Sequence, residues 1–197
     1  MIKMTPRAAL VCVLLVAVAA TGAAGQVLGF DRKLIADDAV ENARFGRAVA
    51  ATPSIVVIGA QGDTENGVES GAAYIFDART GEQLHKLVAG DAGPKQFFGA
   101  SVAADRGLVV VGASGVDDLG EDAGAAYVFD AQTGTQLFKL LADDGERRDL
   151  FGAGVAIRDG LIAVGAVNAD IRSRNEGAVY LFDAATGGAA RQADRAG

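Results

Sequence analysis

An all-β repeat fold is the architecture this sequence predicts, and three observations carry it. Landmark dipeptides return at a constant interval of 53 residues, the apolar stretches between them are short and β-branched, and every stretch ends on a turn sequence. The landmarks are Phe45-Gly46, Phe98-Gly99 and Phe151-Gly152; then Gly59-Ala60, Gly112-Ala113 and Gly165-Ala166; then Gly71-Ala72, Gly124-Ala125 and Gly177-Ala178. The copies are close. Gly71 to Asp91 matches Gly124 to Asp144 at 15 of 21 positions, and Gly177 to Gly187 matches Gly71 to Gly81 at 8 of 11. Repeats of this size imply modules that complete a core only by stacking on their neighbours.

Each module reads as four short antiparallel strands. In the second copy these are expected at Phe98 to Ala104, Leu108 to Ala113, Ala125 to Asp130 and Gln136 to Leu141. Glycines and β-branched residues interrupt every window long enough for a helix. The first hairpin turn, Asp105-Arg106-Gly107 or Arg158-Asp159-Gly160, offers residues able to adopt positive φ where the chain must reverse tightly. Between the third and fourth strands the turn is Asp77 to Gly81, Asp130 to Gly134 and Asp183 to Gly187. The second strand, Ile55-Val56-Val57-Ile58 or Val109-Val110-Val111, is apolar on both faces and needs cover on both. Sheets of four strands sandwiched between like sheets meet that demand, as in the blades of a β-propeller. Tyr74, Tyr127 and Tyr180 with Phe76, Phe129 and Phe182 are the expected large packing groups, since Trp is absent and Phe occurs nine times.

The chain ends bear on closure. Leu28 to Leu34 is in phase with Gly81 to Leu87, so a fourth strand with no blade before it opens the domain. At the other end, Ala190 and Ala193 stand where Leu137 and Leu140 stand one repeat earlier, which weakens the last fourth strand. Three blades are fewer than a closed ring uses, and an open or incomplete ring, or a homo-oligomer that completes it, is expected.

Before the repeats, Lys3 and Arg7 lead into the apolar run Ala8 to Ala20, followed by small residues through Gly25. This is the layout of a signal peptide spanning 1–25, too short for a bilayer span. It leaves a repeat domain over 26–193, a tail over 194–197, and no membrane association after cleavage. The one cysteine, Cys12, lies in the leader, so the mature chain offers no disulfide, thiolate nucleophile or cysteine-ligated metal. Removing Lys3 and Arg7 leaves 16 basic against 25 acidic side chains, a net charge of about −9. Nucleic acid is disfavoured as a partner by that sign.

No constellation of catalytic groups assembles. His85 is the only histidine, and it occupies the position of Phe138 in the next copy, which makes it a strand residue and leaves Ser70, Ser101 and Ser114 without a base. The acid pairs Asp37-Asp38, Asp117-Asp118 and Asp143-Asp144 read as exposed loop carboxylates. No glycine-rich segment opens a helix, so a phosphate cradle is not indicated.

The Phe-Gly, Ser-Val-Ala, Val-Val-Gly-Ala and Gly-Ala-x-Tyr-x-Phe elements resemble the FG-GAP repeat family, bacterial relatives of the integrin alpha-chain propeller. That resemblance implies one blade per repeat and a role in binding or surface architecture, with no catalysis. Its calcium-binding members carry an acidic loop between the first and second strands. Here that position holds only Thr52-Pro53-Ser54, Asp105-Arg106-Gly107 and Arg158-Asp159-Gly160, too few oxygens for calcium. Asp63, Asp117 and Asp170, in the loops joining the second and third strands, remain as candidates for weak divalent-cation binding, and those loops are the expected contact surface for a protein or surface glycan. The Tyr-x-Phe-Asp-Ala-x-Thr-Gly stretch also resembles quinoprotein-type blades, some of which belong to enzymes. A carbohydrate-binding module is a further alternative, but it would need exposed aromatic platforms.

Overall fold

The computed structural model describes residues 32–170 and 173–189, which fall in the unit Arg32–Gly197; the expected signal segment and the C-terminal tail lie outside the described residues. Eleven strands form three antiparallel meanders. The first sheet runs β1 (Ala48–Ala51), β2 (Ile55–Ala60), β3 (Ala72–Asp77), β4 (Gln83–Leu87). Next comes β5 (Ser101–Asp105), β6 (Leu108–Ala113), β7 (Ala125–Asp130), β8 (Gln136–Leu140). The third holds β9 (Phe151–Arg158), β10 (Leu161–Ala166) and β11 (Ala178–Asp183). The sheets do not close into a barrel, so the architecture is an open all-β stack of propeller blades.

The turns follow from the local sequence. Asp105 pairs Leu108 across the two-residue turn Arg106-Gly107, with φ of 47° and 81°, and Arg158 pairs Leu161 across Asp159-Gly160, with φ of 51° and 84°. Two successive positive φ values define the type I′ turn, whose twist matches that of the flanking strands. The first copy, with Pro53, uses a wider turn in which Thr52 Oγ1 accepts the Ile55 amide at 3.1 Å. Between the third and fourth strands one carboxylate organises each turn. Asp130 Oδ1 accepts the amides of Gln132 (2.9 Å) and Thr133 (2.8 Å), and Asp77 and Asp183 do the same in their copies.

The expected first strand of the second copy is shortened. Phe98 lies outside β5, bridged in parallel to Gly71 of the sheet before, and Gly99 at φ 86° breaks the extended run before Ser101. Residues 32–36 form no strand, although 32–34 are in phase with His85–Leu87 of β4; the earlier part of the expected leading strand lies outside the described residues. The third sheet has three strands among the described residues, with Ala189 making one isolated bridge to Phe182 where a fourth would begin.

The core lies between sheets. Val57, Ala73, Ile75 and Leu87 of the first sheet face Val109, Val111, Tyr127 and Phe129 of the second. One repeat on, Val110, Ala126, Val128 and Leu140 face Ile162, Val164 and Phe182. Alternate residues of β6 therefore serve two different junctions, which is why that strand is apolar throughout. The other face of the first sheet is covered by Leu34, Ala36, Ala43 and Phe45, which pack on Ile58, Tyr74 and Phe76.

The repeated glycines set the spacing. A Cβ on Gly99 would lie 2.2 Å from the Ala72 carbonyl oxygen, and one on Gly71 2.1 Å from that of Phe98, so main chain rests directly on main chain where one blade meets the next. Phe-Gly and Gly-Ala are thus two halves of one contact.

Candidate functional site

Two surfaces concentrate polar chemistry: the loops joining the second and third strands, and the cleft between the first two sheets at the opposite, β1–β2 turn, end.

At the loop end a polar cluster recurs. Lys86, on β4, extends its ammonium to Asp38 (2.5 Å), Asp63 (3.0 Å) and Glu65 (2.7 Å), 5.5 Å from the centre of the Tyr74 ring. Tyr74 donates its hydroxyl to Asp63 at 3.1 Å. In the next copy Lys139 reaches Asp91 (2.5 Å) and Asp118 (2.6 Å) over the Tyr127 ring, and Tyr127 donates to Asp91 at 2.9 Å. In the third, Tyr180 donates to Asp144 at 2.7 Å. Asp38, Asp91 and Asp144 are 53 residues apart, as are Lys86 and Lys139. Burial opposes the charge on these groups, yet hydrogen bonds from Lys86 and Lys139 hold the Asp38 and Asp91 carboxyls below the usual range. Burial, with the neighbouring carboxylates, pushes all three tyrosine hydroxyls well up, so they act as neutral donors.

This cluster disposes of Asp63 differently from the sequence expectation. Its carboxylate is buried and already bonded to Lys86, Tyr74 and the Glu65 amide, so it is a structural acceptor with a cation of its own. Asp117 accepts the Asp122 amide at 2.8 Å, and Asp170 accepts the Asn175 amide, each closing its own loop. The three acids do not converge, and among the described residues no group of three His, Cys, Asp or Glu side chains is arranged to hold a metal ion. The second members of the acid pairs, Asp38, Asp118 and Asp144, are exposed as expected and are also engaged by Lys86, Lys139 and Tyr180. Ser101 is likewise structural, donating to the Gly152 carbonyl at 2.8 Å, and Ser70 is buried, donating to the Asp63 carbonyl at 3.2 Å.

The cleft, about 880 Å³, is lined by Ile55, Leu84, His85, Arg106, Leu108 and Gln132 among others. His85 spans it, with Nε2 2.9 Å from the Gln132 carbonyl oxygen. One junction later the same end carries different contacts. There Arg106 pairs with Asp159, the Asp159 amide donates to Asp105 at 2.8 Å, and Phe138 replaces His85. Thr52, Ser54, Asp77 and Asp105 also line the cleft, but the hydrogen bond His85 makes there goes to the Gln132 carbonyl and to none of these side chains.

Sequence reasoning passed over Asp38, Asp91, Asp144, Lys86 and Lys139 as a unit. The signal was their shared 53-residue phase, which extends to Gln83 and Gln136, whose side chains accept the amides of Asp37 (3.0 Å) and Gly90 (2.8 Å).

The FG-GAP repeat sequence model matches residues 29–76, 82–129 and 135–182, well over half of the chain. The chain belongs to the FG-GAP repeat family. The second and third matched units begin at the fourth strand of one blade and end on the third strand of the next, so the FG-GAP unit spans a blade junction. FG-GAP repeats are non-catalytic structural modules, and the described residues assemble no catalytic motif. A comparison with curated proteins found no match. Among solved structures, the computationally designed Ika4 protein is similar with a TM-score of 0.53 at 19% identity, over 84% of this chain and 81% of that one; this likeness concerns the fold alone. The computationally designed Ika8 protein aligns over 75% of this chain and 35% of that one, at 20% identity and a TM-score of 0.49.

Proposed function

We propose that this FG-GAP chain is exported by way of residues 1–25 and acts outside the cytoplasm as a non-enzymatic binding scaffold. It presents the loops between its second and third strands to a protein partner bearing basic side chains. The observation that carries this reading is the contrast between a constant frame and variable loops. The strands and turns repeat almost residue for residue, whereas the loops differ in every copy and expose Glu65, Asp117, Glu121, Asp170 and Glu176. Function in repeat folds concentrates in such loops because the stacked core tolerates changes there. The loops are also well held. The Lys95 amide donates to the Val68 carbonyl at 2.7 Å and the Arg148 amide to that of Glu121 at 2.8 Å, tying each loop to the segment that enters the following sheet. A protein is favoured over a glycan because Tyr74 and Tyr127 are buried and offer no stacking platform.

The test is capture from the compartment that receives the protein, comparing the parent with Asp117→Lys/Asp170→Lys. Loss of the captured partner with an unchanged melting temperature supports the reading. Equal capture by both proteins, or capture by neither, counts against it.

A further inference from the structure

The stack ends in two surfaces that match the two halves of its own internal junctions. Within the stack the glycine of each second strand faces the backbone of the following sheet. A Cβ on Gly59 would lie 2.0 Å from the Gly99 carbonyl oxygen, and one on Gly112 2.0 Å from that of Gly152. Gly165 holds the same position in β10. Its φ is not left-handed, and a Cβ there would meet nothing nearer than the Gly154 oxygen at 3.7 Å. Glycine inside a strand weakens it unless another backbone approaches closely, and no such backbone lies against Gly165 among the described residues.

The side chains around Gly165 agree. Val179 is 68% exposed and Leu181 48%, while their in-phase counterparts Ala73, Ala126, Ile75 and Val128 are fully buried between sheets. A terminal repeat that faces water carries a polar outer face; this one is apolar. At the other end Val49 is 67% exposed, against 8% for Val102 in the same phase. Gly46, the counterpart of Gly99 and Gly152, has open space where their Cβ positions meet the preceding sheet. The polar cluster is also unfinished: Tyr180 and Asp144 have no lysine over them among the described residues, whereas Lys33, in phase with Lys86 and Lys139, is exposed and forms no salt bridge among the described residues.

We infer that two copies of this chain close head to tail into a ring of six blades, the third sheet of each docking on the first sheet of the other. Gly165 then receives the Gly46 carbonyl of the second copy, Val179 and Leu181 pass under its first sheet beside Val49, and Lys33 of the second copy comes over Tyr180 beside Asp144. A second copy is the occupant because the junction needs a Phe-Gly blade preceded by an in-phase lysine, and the end of this chain that carries the first sheet, with Val49 exposed, supplies both. The contact continues an interface that the chain already makes twice, between its first and second and its second and third sheets. It is heterologous, and such a contact gives a closed assembly only if the rotation completes a circle. Two copies of three repeats give six blades, within the range of about four to eight that propellers use. The inference does not depend on what the loops bind.

The test is the solution mass of the whole expressed chain at about 100 μM, taken as a ratio to its polypeptide mass from mass spectrometry. A ratio of 2 is expected for the parent. Gly165→Ala has room for its methyl group within one chain, so it should keep the parent circular dichroism and give a ratio of 1; Val49→Lys, at the opposite face, should do the same. Mixing the two variants should restore a ratio of 2, because Gly165→Ala retains an intact first sheet and Val49→Lys an intact third. A parent ratio other than 2, a dimeric Gly165→Ala, or a mixture that stays monomeric would overturn the inference. A Val49→Lys protein that remains dimeric alone would point to pairing of like faces and overturn it equally.

Discussion

The ring of Phe98 stands edge-on to that of Phe129, with centroids 5.8 Å apart and planes at 82°, and the same ring lies 5.5 Å from Tyr127. Phe45 and Phe151 repeat this geometry against Tyr74 and Phe76 and against Tyr180 and Phe182. Phe98 sits in the segment entering the second sheet and its partners on β7, so the contact anchors each connection to the blade that follows. Phe98→Ala should cost about 3–5 kcal/mol, the usual range for removing a buried aromatic ring. Urea denaturation of the variant measures it, and a midpoint equal to the parent's would show that the ring does not belong to the core.

Gly112→Ala should be nearly as damaging for a different reason. Its methyl group would lie 2.0 Å from the Gly152 carbonyl oxygen and 2.3 Å from Ser101 Oγ; the serine can rotate, but the Gly152 main chain cannot turn away as a side chain can. A loss of about 1–3 kcal/mol is expected from such overpacking. Thermal melting of the variant, compared with Gly107→Ala as a control for positive φ in an open turn, separates crowding from backbone strain.

The Asp91 carboxyl should make stability fall in acid. Burial alone would raise its pKa, but the hydrogen bonds from Lys139 and Tyr127 outweigh that and hold it below the ordinary value. A carboxyl depressed on folding contributes fully above its unfolded pKa, near 3.9, and the contribution disappears as pH falls through the lower folded value. Lys139 is raised on folding, so its share persists up to its unfolded pKa, near 10.4, and is lost as pH climbs through the folded value. Solvent reaches this cluster, which limits the effect to about 1 kcal/mol. Asp91→Asn should therefore be less stable than the parent by that amount at pH 7, with the difference disappearing in acid as the folded carboxyl takes up its proton. A constant difference across pH would mean that shape, not charge, explains it.

Calcium should alter stability little. Asp63 is already paired with Lys86, while Asp117 and Asp170 are separately occupied by loop amides. Millimolar calcium added to chelated protein should move the melting temperature by less than about 2 °C, because stabilisation grows only as the logarithm of ligand concentration over Kd. A rise above about 5 °C would identify a site in these loops.

The fold was legible because it is written three times. The 53-residue interval placed the second and third strands of each blade, and the glycines of the first hairpin turns marked reversals that the structure contains. Less legible was the start of the first strand. Phe98 looks like a strand residue in any apolar pattern, and only the left-handed backbone at Gly99 reveals that the chain bends there to press against the sheet before it. The polar cluster was harder still. Asp38 precedes Lys86 by 48 residues and Asp63 precedes it by 23, so neither pairing follows from local spacing, and Asp63 has no acid in phase with it: the positions one and two repeats later are Val116 and Ala169. An isolated acid of that kind reads as a loop ligand until burial and the lysine above it are seen.

Gly99, pressed between the Ala72 carbonyl and the Ala60 amide, makes the tilt from one blade to the next a property of the peptide chain itself. Side chains between the sheets can exchange, as Ile75 does for Val128, while the wedge angle stays fixed by atoms that every residue possesses. Curvature is thereby uncoupled from composition. A propeller gauged in this way could diversify its filling and its rim independently, with blade number as the one variable that must suit the circle.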